Sequence, residues 1–348
     1  MDINAKITGI KYSPVLCESL KSYKETEFEE AFHLNSVFLL NLNEQAIAIS
    51  KWVSPKRTRS YPYSRVYNTL NHGGKKVTII PFVKDEGASG DRDFIQWDTI
   101  SLMSLLGVYV IISFYSNASK NVNFPDKITD QVFDTGFIFE ELNKLLSYQS
   151  DALHWNIEQI NNIIIPANLA RDNYTRIQSE TGVKMHSISG IDKRIETILQ
   201  GKDIFMHTSR NFAKEAQLRE IQTNQPKEKI TYGIKAQINI TNYLGGTYFF
   251  TCDEAKIVNN DIQIIEAKHT KYGSLPSIDD IKDALIKMIL FSNLKDVFVD
   301  GVKLNPVPIL KLTSENGKIK KGNTMLEPII AEAKANRFKI IVNDESII

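Results

Sequence analysis

Two carboxylates and one ammonium stand at spacings that suit metal-assisted hydrolysis of a phosphodiester. Glu266 and Lys268 lie two positions apart after an apolar run, and Asp253 lies thirteen positions before Glu266. Residues two apart on a β-strand point to the same face, and a hairpin would bring Asp253 opposite them. Mg²⁺ prefers oxygen ligands and can bridge a phosphate, while a nearby ammonium can orient the attacking water. The pattern predicts that Asp253 and Glu266 bind Mg²⁺ beside Lys268.

The Glu-x-Lys motif is weak by itself, since the sequence contains Glu-Ala-Lys at 254–256, 266–268 and 332–334. We interpret the copy at 332–334 as the solvated face of an amphipathic helix, and the copy at 254–256 has just the adjacent Asp253 as a partner. The copy at 266–268 follows a strand-like run and has an aspartate at hairpin distance. The alternative is a group of surface ion pairs, each worth about 0–1 kcal/mol, but the aliphatic residues before Glu266 favour a buried site.

Hydrophobic periodicity predicts the elements that would position these groups. Alternating residues at 235–241, 247–258 and 261–269 predict three strands, the last two in a hairpin. Helical spacing of apolar residues, with two aspartates in the first turn, predicts a helix over 277–294, followed by a strand over 295–302. We expect an α/β (α+β) fold with a mixed central sheet flanked by helices.

The first part of the chain has its own set of predicted elements. The pattern changes near residue 150, so we predict an N-terminal α/β region at 1–150 and a second domain at 151–348. The elements predicted in the first region are a hairpin at 36–50, strands at 75–84 and 108–115, and helices at 94–106 and 136–150.

An Asp on one arm of a hairpin and Glu-x-Lys on the other, followed by a long helix and a strand, resemble the PD-(D/E)xK nuclease superfamily. The whole chain looks like a type II restriction endonuclease of that superfamily, and the match covers roughly residues 205–305. The resemblance implies that Asp253 and Glu266 are metal ligands and that Lys268 orients or helps deprotonate the attacking water. The sequence departs from the family at Cys252, where a proline is usual.

The same resemblance implies a restriction-endonuclease-like core, Mg²⁺-dependent cleavage of double-stranded DNA at specific sites, and a homodimer that matches symmetric sites. It also implies a companion DNA methyltransferase made as a separate protein. Some family members add a carboxylate from the helix before the sheet, for which Glu220 is the candidate and Glu215 the rival. Two alternatives are a repair or phage-defence nuclease of loose specificity and a non-catalytic DNA-binding module with the same fold.

The segment from Lys51 to Lys84 contains no Asp or Glu and is rich in Lys and Arg. Aromatic residues are interleaved with the cations, which suits phosphate contacts and stacking, although tyrosines closing a small core would give the same pattern. A polar run at 206–211 leads into a helix N-terminus and offers a second surface. We expect the region 1–150 to have a structural or DNA-holding role. The candidate DNA contacts are Lys56, Arg57, Arg59, Arg65, Lys75, Lys76 and Arg210.

The composition argues against several functional classes. The 42 Lys and Arg residues balance 41 Asp and Glu residues, so net charge gives no indication of a nucleic-acid partner. Two distant cysteines argue against a disulfide scaffold and predict a cytoplasmic protein, and the longest apolar run, 103–115, is too short to cross a membrane. The sequence lacks a Walker loop, a Gly-x-Ser-x-Gly motif and metal-spaced histidines, which argues against ATPases, serine hydrolases and zinc hydrolases.

Overall fold

The structure, a computed structural model, describes residues 1–56, 59–200, 207, 211, 215, 234–243, 247–271, 274–315 and 325–348 of a mixed α/β protein. The described strands are β1 (Asp2–Ile7), β2 (Ser22–Lys24), β3 (Val37–Leu42), β4 (Gln45–Lys51), β5 (Lys76–Pro81), β6 (Val83–Asp85), β7 (Arg92–Phe94), β8 (Val108–Ser113), β9 (Tyr115–Lys120), β10 (Ile128–Phe133), β11 (Ile234–Asn242), β12 (Thr247–Val258), β13 (Asp261–Thr270), β14 (Lys295–Val299), β15 (Val302–Ser314), β16 (Lys339–Val342) and β17 (Glu345–Ser346). The described helices are α1 (Phe28–Leu34), α2 (Pro62–Tyr67), α3 (Trp97–Leu105), α4 (Thr135–Ser147), α5 (Ala152–Asn161), α6 (Ile164–Thr181), α7 (Ser189–Leu199), α8 (Ile278–Ser292) and α9 (Leu326–Asn336). Within these ranges, every helix is too short or too polar to span a membrane.

The chain divides into two compact units, which we call unit 1 (Met1–Glu18 with Arg210–Ile348) and unit 2 (Ser19–Ser209). This division differs from the predicted ranges 1–150 and 151–348. The first residues belong to unit 1 because β1 pairs in parallel with β11 and antiparallel with β14. Sheet pairing between segments so far apart leaves no local sequence pattern, so periodicity could not find it.

The residues that directly follow position 150 belong to unit 2, because α5 is hydrogen-bonded to the sheet of that unit. The Asn156 side chain accepts a hydrogen bond from the Val110 amide at 2.7 Å and donates one to the Val108 carbonyl at 3.0 Å. The Trp155 indole donates to the Val110 carbonyl at 2.7 Å. These bonds satisfy buried backbone groups of β8, which would be costly to leave unpaired.

The large sheet of unit 1 carries the predicted site. The strand predicted at 235–241 and the hairpin predicted at 247–258 and 261–269 are confirmed, since β11, β12 and β13 form an antiparallel meander. Beyond them, β15 is parallel to β13 and β16 is parallel to β15. The strand β14 pairs with both β1 and β15, so six strands form a closed ring of pairings in the order β1, β11, β12, β13, β15, β14.

The helix predicted at 277–294 is confirmed as α8, which packs against β13 and β15. It begins after Ser277, whose hydroxyl accepts a hydrogen bond from the Asp280 amide at 3.1 Å. Its apolar stripe is fully buried at Ile281, Leu285 and Met288. Burial of each such side chain is worth about 1.5–3 kcal/mol, so α8 is firmly placed over β13, the strand that carries Glu266.

Unit 2 is built on a five-stranded sheet in the order β2, β3, β4, β5, β8. The predicted hairpin at 36–50 is confirmed as the antiparallel pair β3 and β4. The strands β4, β5 and β8 are parallel to one another, with α2 and α3 in the connections. One face of the sheet packs on an aromatic cluster that includes Phe28, Phe32, Phe38 and Phe133.

Candidate metal centre

The predicted carboxylates lie on the neighbouring strands β12 and β13. The paired register of this hairpin runs from Val258 and Asp261 to Glu254 and Ile265, and Asp253 and Glu266 each lie one residue beyond its last pair. At this point the Ala267 amide donates a hydrogen bond to Asp253 Oδ2 at 2.6 Å. A side-chain carboxylate therefore takes a backbone donor of β13 and is oriented by it.

Glu266 is the most deeply placed group of the site, with a side chain that is 2% exposed. Two ammonium groups neutralise it. Lys268 Nζ lies 3.5 Å from Glu266 Oε1, and Lys287 Nζ lies 2.8 Å from Glu266 Oε2. Removing a carboxylate from water is costly unless it is paired, so this double pairing accounts for its burial.

Sequence reasoning did not identify Lys287, which reaches the site from α8. The signal was present, because Lys287 is three residues after Ala284 and four before Phe291, and both of these are fully buried. On a helix these three residues share a face. A lysine aligned with buried residues, on a helix that follows a Glu-x-Lys strand, indicates an ammonium directed at the sheet.

Cys252 stands next to Asp253 and is fully buried. Burial above all, helped by the Asp253 and Glu266 carboxylates and opposed by the Lys287 ammonium, raises the pKa of its thiol to about 12. The group is therefore a neutral thiol at physiological pH. It packs as a small apolar side chain and supplies no thiolate to a metal.

The donor set fits Mg²⁺ and does not fit an all-protein metal cage. Within the described parts of the chain, no group of three or more His, Cys, Asp or Glu side chains could hold a metal ion. Mg²⁺ commonly binds through one or two carboxylates and keeps several waters or substrate oxygens as its other ligands. Asp253 and Glu266 provide such a pair. The third candidate, Glu220, lies outside the described residues, and its rival Glu215 is helical and exposed.

The Glu-Ala-Lys copy at 332–334 has a different environment. The prediction that the copy at 332–334 is a solvated face is wrong for Glu332, which is fully buried. Its Oε2 accepts hydrogen bonds from the Val15 amide at 2.6 Å and the Leu16 amide at 3.0 Å. The carboxylate therefore anchors the segment after β1 to α9. The helical pattern gave no sign of this, because the donors lie more than 300 residues away in sequence.

Two of the predicted DNA contacts in unit 2, Lys56 and Arg59, lie near acidic side chains of the same unit. The Arg59 guanidinium forms ion pairs with Glu86 and Asp91, and its Nε lies 3.3 Å from Asp93 Oδ2. Lys56 Nζ lies 3.9 Å from Asp93, and its side chain is 52% exposed. The positive charge of this segment is thus partly balanced by the acidic loop between β6 and β7.

Three other predicted cations, Arg65, Lys75 and Lys76, donate to backbone carbonyls. Arg65 donates to the Lys51 carbonyl at 2.8 Å, and Lys75 donates to the Tyr148 carbonyl at 2.7 Å, just after α4. Burial lowers the pKa of Lys75 and of Lys76. Arg57 and Arg210 lie outside the described residues.

The aromatic residues of the same segment divide into buried and exposed members. Trp52, Tyr63 and Tyr67 are buried, and the Trp52 and Tyr63 rings meet edge to face with centroids 6.0 Å apart. Tyr61 is 47% exposed. Trp52, Tyr63 and Tyr67 therefore contribute to a core, as the alternative interpretation expects, whereas Tyr61 is exposed.

Comparison with protein-family models, with curated proteins and with solved structures finds no match to this chain. A functional conclusion must therefore be drawn from the carboxylates, the ammonium groups and the strands that position them.

Proposed function

We propose that this chain is a Mg²⁺-dependent endodeoxyribonuclease that cuts double-stranded DNA at specific sites, as a type II restriction enzyme does. The observation that carries the proposal is the convergence of Asp253, Glu266 and Lys268 at one point of the β12 and β13 hairpin. There, Glu266 is almost fully buried, while the Lys268 side chain is 22% exposed. A buried carboxylate beside a partly exposed ammonium is a costly arrangement, which a surface group of ion pairs would not need.

The order of elements around these residues agrees with the proposed restriction-endonuclease-like core. An antiparallel meander carries the aspartate on its second strand and Glu-x-Lys on its third. The helix α8 and the strand β14 follow, β15 then pairs in parallel with β13, and after α9 the strand β16 pairs in parallel with β15. The resemblance predicts a mixed central sheet flanked by helices, and a mixed sheet with α8 packed on β13 and β15 supports the proposed core; the pairings of β14 with β1 and β15, which close the ring, are an addition to it.

Each side chain has a role that follows from its contacts. Asp253 is oriented by the Ala267 amide and Glu266 is held by Lys287, so both are positioned to offer oxygens to Mg²⁺. The bound ion would polarise the scissile phosphate and make a bound water more acidic. Lys268, two residues after Glu266 and partly exposed, would orient the attacking water and offset negative charge that develops on the phosphate.

The proposal extends to partners and compartment. A restriction enzyme that cuts symmetric sites needs two copies related by a two-fold axis, so we include a homodimer. It also needs a separate DNA methyltransferase that protects the host sites. Cys17 and Cys252 are not joined in a disulfide in the structure, which suits a reducing cytoplasm.

The test is incubation of the full chain with unmethylated phage DNA and Mg²⁺, read on a gel. Glu266→Gln and Lys268→Met should abolish cleavage, as should EDTA. The matched controls are Glu327→Gln and Lys256→Met, which change an exposed glutamate of α9 and the exposed lysine of another Glu-Ala-Lys copy.

Discrete fragments that disappear in both site variants would support the proposal. A smear that disappears in them would instead indicate a nuclease of loose specificity. DNA retardation without cleavage in Mg²⁺ or Mn²⁺ would indicate a non-catalytic binding module.

A further inference from the structure

Both oxygens of the Glu266 carboxylate face ammonium groups, but the two contacts differ in strength. Lys287 Nζ lies 2.8 Å from Oε2, which is the distance of a charge-assisted hydrogen bond. Lys268 Nζ lies 3.5 Å from Oε1, which is a longer ion pair. Lys287 is therefore the principal counter-charge of Glu266, and it lies at an oxygen that a divalent cation would also use.

Lys287 has a second acceptor within reach. Its Nζ lies 3.5 Å from the carbonyl oxygen of Thr251, two residues before Asp253 on β12. Thr251 is buried, so its carbonyl keeps the ammonium inside the site. An ammonium that leaves Glu266 Oε2 can thus stay hydrogen-bonded at a short distance, and the contact with Glu266 can be exchanged at modest cost.

We propose that Lys287 is a built-in competitor of the metal ion, a positioning residue that occupies Glu266 until a divalent cation takes the same oxygen. Its ammonium compensates the buried carboxylate in the metal-free protein and moves towards the Thr251 carbonyl when the cation binds. The residue therefore lowers the affinity of the site for divalent cations. This inference depends on the metal site of the proposed function, but not on cleavage of DNA.

The same helix supplies a matched control. Lys282 also lies on α8 and is also paired with a glutamate, Glu18, and its side chain is fully buried. The pair lines a different part of unit 1, among Leu16, Ile278 and Ile281. Lys282→Met therefore removes a buried ammonium from α8 without removing a contact to Glu266.

The experiment measures Mn²⁺ binding to the full chain by electron paramagnetic resonance of the free ion, without DNA. Lys287→Met should bind Mn²⁺ about tenfold more tightly than the wild type, because a like charge has left the site. Lys287→Arg, which keeps the charge, should stay within about twofold of the wild type, as should Lys282→Met. In melting curves, the rise in melting temperature from EDTA to Mg²⁺ should be larger for Lys287→Met than for the wild type or Lys282→Met.

Equal or weaker binding by Lys287→Met, at a site that Glu266→Gln removes, would overturn the role of Lys287 and leave the metal site intact. If neither the wild type nor Lys287→Met binds Mn²⁺, both the inference and the proposed metal site are wrong. Tighter binding by Lys287→Met in a protein that cuts no DNA would support the inference and contradict the nuclease.

Discussion

Replacing Lys282 with methionine tests how much the ion pair between Lys282 and Glu18 contributes to the free energy of unfolding of unit 1. The Lys282 side chain is fully buried beside a cavity of about 660 Å³, and its partner Glu18 is 60% exposed. Methionine is apolar and of similar length, and Glu18 can return to water. Replacing a whole buried ion pair by apolar groups is often neutral or stabilising by about 1–4 kcal/mol, and here the exposed Glu18 leaves no buried charge behind. We therefore expect Lys282→Met to leave the free energy of unfolding unchanged or to raise it.

The opposite substitution should have the opposite sign. Glu18→Gln leaves the Lys282 ammonium buried without a charged partner. Breaking a fully buried pair costs about 3–5 kcal/mol, but water already screens the exposed Glu18. We expect a loss of about 1–3 kcal/mol.

Urea unfolding can assign these changes to unit 1. All three tryptophans, Trp52, Trp97 and Trp155, lie in unit 2. Tryptophan fluorescence therefore follows unit 2, whereas far-ultraviolet circular dichroism follows both units. The exposed Lys334→Met is the control and should change stability by less than about 0.5 kcal/mol. A loss above about 2 kcal/mol for Lys282→Met, together with no effect of Glu18→Gln, would refute the reasoning.

Three further outcomes follow from buried polar groups. Glu332→Ala should cost unit 1 about 3–5 kcal/mol in urea unfolding, because two backbone amides lose a buried acceptor. At pH 8, Cys17 should react with a thiol reagent in the folded protein, whereas Cys252 should react only after unfolding. The reason is that burial raises the pKa of the Cys252 thiol to about 12 in the folded protein. Burial, together with a neighbouring guanidinium, lowers the pKa of Lys51 from 10.5 to about 8. The unfolded chain keeps that proton longer, so the stability of unit 2 followed by tryptophan fluorescence should rise between about pH 8 and 10.5, and Lys51→Met should reduce the rise.

Each of these outcomes has a control. Glu327→Ala changes an exposed carboxylate of the same helix as Glu332 and should be nearly silent. Cys252→Ala should remove the thiol that reacts after unfolding, and equal rates for both thiols in the folded protein would contradict the burial of Cys252. A rise in stability of equal size in Lys51→Met and the wild type would exclude Lys51 as its source.

Local patterns predicted the parts of unit 1 that local interactions determine. The β12 and β13 hairpin and α8 were found because strand alternation and helical spacing are properties of neighbouring residues. The spacing of Asp253 and Glu266 was informative for the same reason. In a hairpin, two residues at similar distances from the turn lie close together in space.

The rest depends on contacts between distant segments. These contacts join segments that are too far apart in the sequence for a local pattern to reveal them. They are the pairing of β1 with β11, the hydrogen bond from the Val15 amide to Glu332, and the ion pair of Lys287 with Glu266. The sequence shows both a basic segment around Arg59 and an acidic loop at 85–91, but it did not indicate that they pair with each other. The charge pattern of the sequence thus located a basic segment but did not identify the carboxylates that form ion pairs with it.

The position of β1 has a consequence for the synthesis of the protein. Its buried residues Ile3 and Ile7 are translated before the whole of unit 2, whereas its neighbours β11 and β14 come after it. At about 5–20 residues per second, a ribosome needs roughly 15–60 s to travel from β1 to the end of β14. During this time β1 has both edges open, and unit 2 can fold as an insertion while the strand waits. Chaperone capture of nascent chains should therefore depend on Ile3 and Ile7 until β14 has left the ribosome.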